Sequence, residues 1–153
     1  MIGLLAALKT ALENDAALSV YNEVVSVRKY RPDSLPAFET YGIVLSPASL
    51  GWEDVGIRCR EDLPRVDLHC LVFDFDAEKS LVGVAAGEVG ILQMVEDVIA
   101  CLEFNSLSDY VEVTGQEVNT EIQLNEVPSS NRDGFYHEVK IRLNYRLLAR
   151  TIS

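Results

Sequence analysis

The residues FYHEVKIRLNYRLLAR, at positions 135–150, decide the fold, because apolar and polar side chains alternate through almost the whole stretch. Such alternation is the pattern of a β-strand that buries one face. The preceding run EVNTEIQL, at positions 117–124, alternates in the same way, and the turn-forming residues PSSNRDG at 128–134 separate the two runs. The two runs therefore predict a long C-terminal β hairpin.

The register of this hairpin follows from burial, because a slip of one residue would turn the apolar side chains of one strand to the wrong face. Pairing Leu124 with Val139 aligns the apolar faces of both strands. An extended chain over positions 135–150 would reach roughly 50 Å at about 3.3 Å per residue, which is long for a small domain. We expect part of it to bend or project and to offer an edge for pairing with another subunit.

The same register sets Glu121 opposite Arg142 and Glu117 opposite Arg146 on the polar face. Cross-strand pairs of opposite charge contribute roughly 0.2 to 1 kcal/mol each. Because they lie on the projecting element, these four residues are our candidates for a subunit interface. The alternative is that they belong to an ordinary hairpin within one chain.

Two segments carry apolar residues at helical spacing, namely residues 2–12 and residues 91–102. The small-residue segment Gly83–Gly90 precedes the second of them and has no GxGxxG or P-loop pattern. Its glycines therefore favour close packing of a helix start on a sheet over a phosphate site.

Between the helices, residues rich in β-branched and aromatic side chains predict strands over Val24–Tyr30, Pro36–Leu45 and Val55–Arg60. Proline and glycine predict a loop over Pro47–Gly51 and a turn at Asp62–Pro64. Residues 66–70 alternate between apolar and polar side chains, and residues 71–75 become largely apolar on both faces, which is typical of a strand at the centre of a sheet. The fold class is thus α+β, a mixed and largely antiparallel sheet with two helices packed on one face and a long C-terminal β hairpin. We expect a single domain over residues 1–153.

Composition excludes several classes of function. The chain has 13 Lys and Arg against 24 Asp and Glu, a net charge of −11, so it should repel phosphate backbones and anionic membranes. Its 48% apolar residues are enough for a core without disulfide or metal staples. No apolar run approaches the length of a transmembrane helix. The cysteines, at positions 59, 70 and 101, lack metal-binding spacing and are expected to be reduced and buried.

Candidate chemistry is sparse. His69 and His137 are the only histidines, and no GxSxG motif accompanies them, so we expect no catalytic triad. Asp74, Asp76 and Glu78 could hold a hard cation, but a strand sets them in a row without the wrapping loop that calcium needs. We expect no cofactor and no metal.

Two groups of basic residues lie near predicted hairpins, at positions 58, 60 and 65 and at positions 28, 29 and 31. A small basic patch is one interpretation. We favour ion pairing with the many carboxylates of this chain or of a neighbour, because no interleaved aromatic residues suggest base stacking.

The order of elements resembles the tail-terminator or tail-completion proteins of long-tailed bacteriophages. The features that carry this resemblance are a helix over Leu4–Glu13, the Leu35-Pro36-Ala37 strand opening, the strand end Leu71-Val72-Phe73-Asp74, the helix end Ala100-Cys101-Leu102 and the closing hairpin. The resemblance implies a virion protein of the tail neck, assembled in the host cytoplasm, with no catalytic residues. It also implies a ring, expected to be a homohexamer, that caps the tail tube, contacts the tube protein and the head connector or stopper protein, and lets DNA pass without sequence-specific binding or any membrane.

Six copies would carry roughly −66 formal charges, and like-charge repulsion would keep sliding DNA off the channel wall. Three alternatives stay open. The nearest is a head-tail stopper or another neck completion protein. The others are a small-ligand binding module with a pocket between residues 91–102 and the sheet, and a metal-dependent enzyme built on residues 74–78.

Overall fold

The computed structural model describes residues 2–21, 25–29, 40–56, 59–74, 81–82, 89–104, 113–128 and 135–149. Apolar periodicity sets the two helices, and β-branched or alternating runs set the strands. In chain order the elements are α1 (Ile2–Asn14), a 3-10 helix (Ala16–Tyr21), β1 (Val25–Val27), β2 (Tyr41–Gly56), β3 (Cys59–Asp74), α2 (Ile91–Phe104), β4 (Val113–Pro128) and β5 (Phe135–Ala149).

The five strands form one sheet in the order β1-β2-β3-β5-β4. β1 runs parallel to β2, whereas every other neighbouring pair is antiparallel. β3 lies at the centre, as the apolar character of residues 71–73 on both faces predicts. The predicted fold class is therefore confirmed: an α+β fold with a mixed, largely antiparallel sheet.

Both helices pack on the same face of this sheet. One buried cluster joins Leu8 of α1 and Met94 of α2 to residues of one face of the strands, among them Leu45, Leu68 and Ile141. Burying a large apolar side chain of this kind stabilises the fold by roughly 1.5 to 3 kcal/mol. In the part of the chain that the structure describes, neither helix has the length and apolar character needed to cross a membrane.

α2 begins against a close backbone contact. The backbone N–H of Met94 donates to the carbonyl oxygen of Gly90 at 3.1 Å, which starts the helix. A Cβ atom placed on Gly90 would lie 2.3 Å from the carbonyl oxygen of Leu81. Gly90 is therefore closely packed at the helix start, but its contact is with the backbone of Leu81 and Val82 and not, as the sequence predicted, with the sheet.

β4 and β5 pair in the predicted register near the end of the sheet that holds Phe135. Leu124 lies opposite Val139, and Pro128 lies opposite Phe135. Residues 129–134, which would complete the hairpin, lie outside the described residues. The apolar alternation thus places this part of β4 correctly on β5.

The register changes farther along the pair. Asn119 lies opposite Arg142, and the next paired position of β4, Gln123, lies opposite Lys140. Between these two pairs β4 advances by four residues and β5 by two. The predicted pairing of Glu121 with Arg142 is therefore wrong. The two extra residues preserve the alternation of faces, because a shift by an even number of residues returns every side chain to its own face.

β2 continues through the predicted loop. Pro47 lies opposite Val66 in β3, and after a register shift Ser49 lies opposite Arg65. The carbonyl of Leu45 accepts a hydrogen bond from the N–H of Arg28, so the backbone polar groups of residue 45 face β1. Those of residue 47, two positions further along β2, face the same side, and β1 ends at Val27. A proline there removes no ladder hydrogen bond, which is why the strand tolerates it.

The predicted turn at Asp62–Pro64 and the predicted end of a strand at Arg60 are also wrong, because β3 runs without a break from Cys59 to Asp74. Pro64 lies opposite Leu50 in β2. On the other side, the pairing of β3 with β5 is interrupted at positions 63 and 64. The missing N–H of the proline therefore interrupts the ladder locally and does not end the strand.

Candidate assembly surface

The outer edge at the β1 side of the sheet is short and basic. β1 has three residues and pairs only with β2 in the described part of the chain. Arg28 and Lys29 follow it directly, and the side chain of Lys29 is exposed. Val27 is 41% exposed at the end of the strand. We call residues 25–29 the basic edge.

The opposite outer edge is β4, which pairs only with β5 among the described strands. Its 16 residues include Glu117, Glu121 and Glu126 but no lysine or arginine. We call residues 113–128 the acidic edge. Among the described strands neither edge has a further partner, and a strand without a partner on one side presents free backbone N–H and C=O groups to which another strand can add.

The ladder connects the two edges at a defined level. Ser46 of β2, Asp67 of β3, Arg142 of β5 and Asn119 of β4 follow one another across the sheet as paired residues. Arg28, one residue beyond the pairing of Val27 with Leu45, extends the same row at the basic edge. Arg28 therefore lies at the level of Asn119 in the acidic edge, where Glu117 is two residues before the register change and Glu121 is within it.

The four residues predicted for the interface are not brought together as two pairs. Glu117 lies opposite Asn144, and Arg146 lies opposite Gly115, so the predicted pairing of Glu117 with Arg146 is wrong. The cause is the same two-residue shift that separates Glu121 from Arg142. Glu117 and Glu121 keep their places on the outermost strand, whereas both arginines belong to an inner strand.

Arg142 has its partner within the same chain. Its Nε donates to Oδ1 of Asp67 on β3 at 3.0 Å, and Lys140 Nζ lies 3.6 Å from Oδ2 of the same carboxylate. The side chains of Arg142 and Lys140 are 40% and 35% exposed, so solvent screens both pairs and each contributes at most about 1 kcal/mol. This cluster connects β3 to β5. It pairs the charge of Arg142, a residue predicted from the sequence to lie at a subunit interface, with a carboxylate of the same chain.

A buried polar pair lies beside that cluster. Nδ1 of His69 is 2.7 Å from Oε1 of Glu138, and the two residues are 5% and 6% exposed. Sequence reasoning placed His69 on a strand but missed its partner, 69 residues away. The hydrogen bond satisfies two polar groups that would be costly to bury alone, so the pair stabilises the centre of the sheet. Its burial keeps it from solutes in the bulk solvent.

The contact between α2 and the sheet is filled by side chains. Ile91, Met94 and Val98 are fully buried and belong to the same cluster as the strand residues beneath them. This is the place where a small-ligand binding module would need a pocket. The packing therefore disfavours a ligand pocket between α2 and the sheet.

The 3-10 helix is fixed to α2 and β2 by aromatic side chains. The hydroxyl of Tyr21 donates to Oδ2 of Asp97 at 2.7 Å, and its ring meets the ring of Tyr41 edge-on with centroids 5.2 Å apart. Burial, with a further contribution from Asp97, raises the pKa of Tyr21 well above its ordinary value. The tyrosine is therefore a neutral hydrogen-bond donor at physiological pH.

The buried thiols are also neutral. Cys70 and Cys101 are free and buried, as the sequence predicts for both. Burial raises the pKa of Cys101 to about 12, with a further contribution from Asp15, and burial raises the pKa of Cys70 farther still. A thiol held neutral is a poor nucleophile and a poor metal ligand.

Of the residues that the sequence offers for a hard cation, Asp76 and Glu78 lie outside the described residues, and so does the side chain of Asp74. Within the described ranges, no three His, Cys, Asp or Glu residues come together in a way that could hold a metal ion.

No protein-family model matches the chain. No curated protein matches it either. Among solved structures, the structure described as "Virion of native gene transfer agent (GTA) particle" contains a chain that is similar to this one. The two chains share 12% sequence identity, the similarity covers 95% of each chain, and the TM-score is 0.47.

Proposed function

We propose that this protein is a structural subunit of a phage-like virion, and specifically a tail terminator that assembles into a closed ring, a homohexamer, at the end of the tail tube. In this role it contacts the tube protein on one side and the head connector on the other, and DNA passes through the ring. The protein acts by shape and association and has no catalytic centre. The nearest variant of the proposal is a head-tail stopper.

The observation that carries the proposal is the sheet. Four of its strands have 15 or 16 residues, a length of roughly 50 Å, in a chain of only 153 residues. Among the described strands, the sheet ends on both sides in an edge without a further partner. A long sheet with two open edges is suited to assembly, because each edge can be covered by a neighbour.

Charge supports the same role. The net charge of −11 disfavours adhesion to DNA, which suits a channel lining and argues against a nucleic-acid-binding protein. The side chains between α2 and the sheet leave the helix layer closed, and the His69–Glu138 pair is buried. These features favour a scaffold over an enzyme or a ligand-binding module.

Native mass spectrometry and sedimentation velocity of the purified chain, alone and mixed with tail tubes, test the proposal. We expect a six-fold species in free solution or bound at one end of each tube, visible by electron microscopy as tubes of uniform length. A stopper would bind connectors and leave tube length uncontrolled. A chain that stays monomeric at every concentration and binds neither tubes nor connectors would refute the proposal.

A further inference from the structure

The sheet carries an exposed cation on the face that neither helix covers. Both helices pack on the face that holds Val66 and Leu68 of β3. The alternate residues of the same strand, Leu63 and Arg65 among them, therefore lie on the other face. Arg65 is exposed there, and Leu63 is half-buried. We call Gly51, Leu63 and Arg65 the sheet patch.

Gly51 leaves space beside Leu63. It lies opposite Leu63 in the ladder between β2 and β3, and a Cβ atom placed on it would lie 3.7 Å from the Cβ of Leu63. Residues directly opposite each other share a face, so β2 leaves this flank of Leu63 uncovered. Because β1 ends opposite Leu45, β2 is here the outer one of the described strands. The sheet patch thus lies at the margin of the sheet, where another molecule can reach it.

The surroundings of Arg65 on this face are also basic. Lys140 and Arg142 of β5 lie on the same face and both contact Asp67. Arg65 and these two cations carry three positive charges against the one negative charge of Asp67, which leaves +2 in a chain of net charge −11. Lys140 and Arg142 keep their contacts within the chain and add a positive field around the sheet patch. This face therefore attracts an acidic partner.

The outer face of α2 has the complementary groups. Met94 and Val98 are fully buried against the sheet. Leu92 and Glu96 lie on the opposite side of the helix, where Leu92 is 44% exposed and Glu96 is exposed as well. The whole helix contains three acidic residues and no lysine or arginine. We call Leu92 and Glu96 the helix patch.

The two patches agree in spacing. Leu92 and Glu96 are four residues apart on a helix, which sets them about 6 Å apart on one face. Leu63 and Arg65 are two residues apart on one face of a strand, which sets them about 7 Å apart. A helix patch laid along β3 therefore brings an apolar side chain to Leu63 and a carboxylate to Arg65 at the same time.

Charge also decides which surfaces of two copies can meet. Two sheet patches would set one Arg65 against another, and two helix patches would set one Glu96 against another. Like charges at an interface repel each other, so only a sheet patch and a helix patch attract. Such a contact is heterologous, because it joins different surfaces of the two copies.

We propose that the helix patch of one copy packs on the sheet patch of the next copy, with Glu96 facing Arg65 and Leu92 filling the space between Leu63 and Gly51. The two patches lie on opposite layers of the subunit, so every copy can make the contact twice. A fixed rotation at each step then closes a ring. This inference rests on the proposed function, since it names the surfaces through which the ring closes.

A charge exchange within one chain tests this contact. R65E places two negative charges at the contact, and E96R places two positive charges there. We expect each single variant to lower the association constant about tenfold or more. The double variant R65E/E96R restores opposite charges at every contact, so we expect it to recover the mass of the wild-type oligomer. Sedimentation velocity and native mass spectrometry, with and without tail tubes, measure all three.

A second pair of variants tests the packing without changing any charge. G51V fills the space beside Leu63, and it should fold, because a Cβ at this position makes only ordinary van der Waals contacts. We expect it to weaken the oligomer by taking the place of Leu92. G56V is the matched control, since a Cβ there meets nothing within 4 Å. K29E, which reverses an exposed lysine outside both patches, is the control for charge.

Thermal melting checks that every variant folds. If R65E/E96R does not melt cooperatively, the comparison of G51V with G56V decides, and equal association of these two overturns the contact. Loss of the oligomer in R65E and in E96R, with recovery in the double variant, supports the contact.

The remaining results overturn it. Single variants that associate as the wild type does, or a folded double variant that does not recover, refute the contact and leave the proposed function standing. Loss of tube binding in R65E with an unchanged free oligomer assigns the sheet patch to the tube protein and refutes the contact between copies. A wild-type chain that neither self-associates nor binds tubes overturns the proposed function and the contact together.

Discussion

Removing the carboxylate of Glu138 should destabilise the protein more than removing any surface charge beside it. The variant Glu138→Ala leaves Nδ1 of His69 without the acceptor that lies 2.7 Å away, at a position where the histidine is only 5% exposed. An unsatisfied buried polar group costs about 1 to 3 kcal/mol, and the cost is at the upper end when the lost partner was charged. We expect a loss of about 3 kcal/mol in the free energy of unfolding.

Glu138→Gln retains an oxygen that can accept from Nδ1 but loses the charge. Because charge-assisted hydrogen bonds are roughly twice as strong as neutral ones, we expect this variant to lose about 1 kcal/mol. Lys140→Ala is the matched control, since Lys140 lies two residues away with a side chain that is 35% exposed. It should cost less than about 1 kcal/mol, because solvent screens its contact with Asp67.

Urea denaturation at one protein concentration measures all three variants, and holding the concentration constant separates folding from association. In a chain of this size about 3 kcal/mol corresponds to a drop in Tm of roughly 6 to 12 °C. A double-mutant cycle with His69→Ala should give a coupling energy above about 1 kcal/mol. Equal losses for Glu138→Ala and Lys140→Ala would refute the reasoning, because the buried hydrogen bond would then contribute nothing.

Three further outcomes follow from other parts of the structure. Gly90→Ala should lower the free energy of unfolding by about 2 kcal/mol, because the added Cβ would overlap a backbone carbonyl. Gly56→Ala, whose added Cβ would have no atom within 4 Å, should change the free energy of unfolding by less than about 0.5 kcal/mol in the same urea titration. Met94→Ala should lower the free energy of unfolding by about 2 to 5 kcal/mol, because it leaves a cavity in the core. A calorimetric Tm close to that of the wild type would contradict this. Arg142→Ala should lower the free energy of unfolding by at most about 1 kcal/mol and leave the mass of the proposed ring unchanged, since the partner of Arg142 is in its own chain. Loss of the ring in this variant would show that Arg142 is an interface residue.

A pH-dependent outcome follows from the buried thiol of Cys101. Its pKa is raised to about 12, from an unfolded value near 9, so the folded state binds more protons than the unfolded state between these values. The stability contributed by the neutral thiol is fully present below about pH 9 and is lost as the pH rises toward 12. Cys101→Ala should therefore show a smaller loss of stability than wild type between pH 9 and 11, measured by urea denaturation. Identical slopes in the two proteins would contradict the assignment.

The sequence pattern predicts strands and faces well and register less well, for a physical reason. Alternation has a period of two, so it identifies which side chains share a face but gives the same signal when a strand shifts by two residues. Leu124 pairs with Val139 as predicted, and Val118 pairs with Leu143 with its alternation intact. Only the charges on the polar face distinguish the two registers, and the register that they favoured is wrong. Each of those charge pairs contributes too little free energy to fix the register.

The prolines explain the remaining errors in the fold. Proline and glycine predict loops because they disrupt a ladder, and that inference treats every strand position as if it needed its N–H. Pro47 has its nitrogen on the edge left open by the short β1, and Pro64 interrupts the ladder on one side only. Whether a proline ends a strand depends on which neighbour it faces, and this is set by the topology of the whole sheet.

The charge pairs predicted for the candidate interface are wrong for a related reason, and the interface role of Glu117 and Glu121 stays a prediction. These glutamates were identifiable from the sequence because they lie on a long alternating run. The partner of Arg142 was not, because Arg142 pairs with Asp67 on β3, a strand more than 60 residues earlier in the chain. The His69–Glu138 pair was missed in the same way, because β3 and β5 are neighbours in the sheet and distant in sequence.

The length of β1 limits how strongly another copy could pair with this edge of the sheet. With only three residues in this strand, a ladder formed on it is short, and Val27 is the exposed large apolar side chain that β1 offers. A pair of copies joined there should therefore dissociate readily. In a closed ring each copy is held on two sides, and the last contact forms within one assembly at a high effective concentration. Closure, or a tail tube that gathers the subunits, then supplies the stability that a single contact lacks, so we expect dimers and open chains to be scarce beside monomers and complete rings.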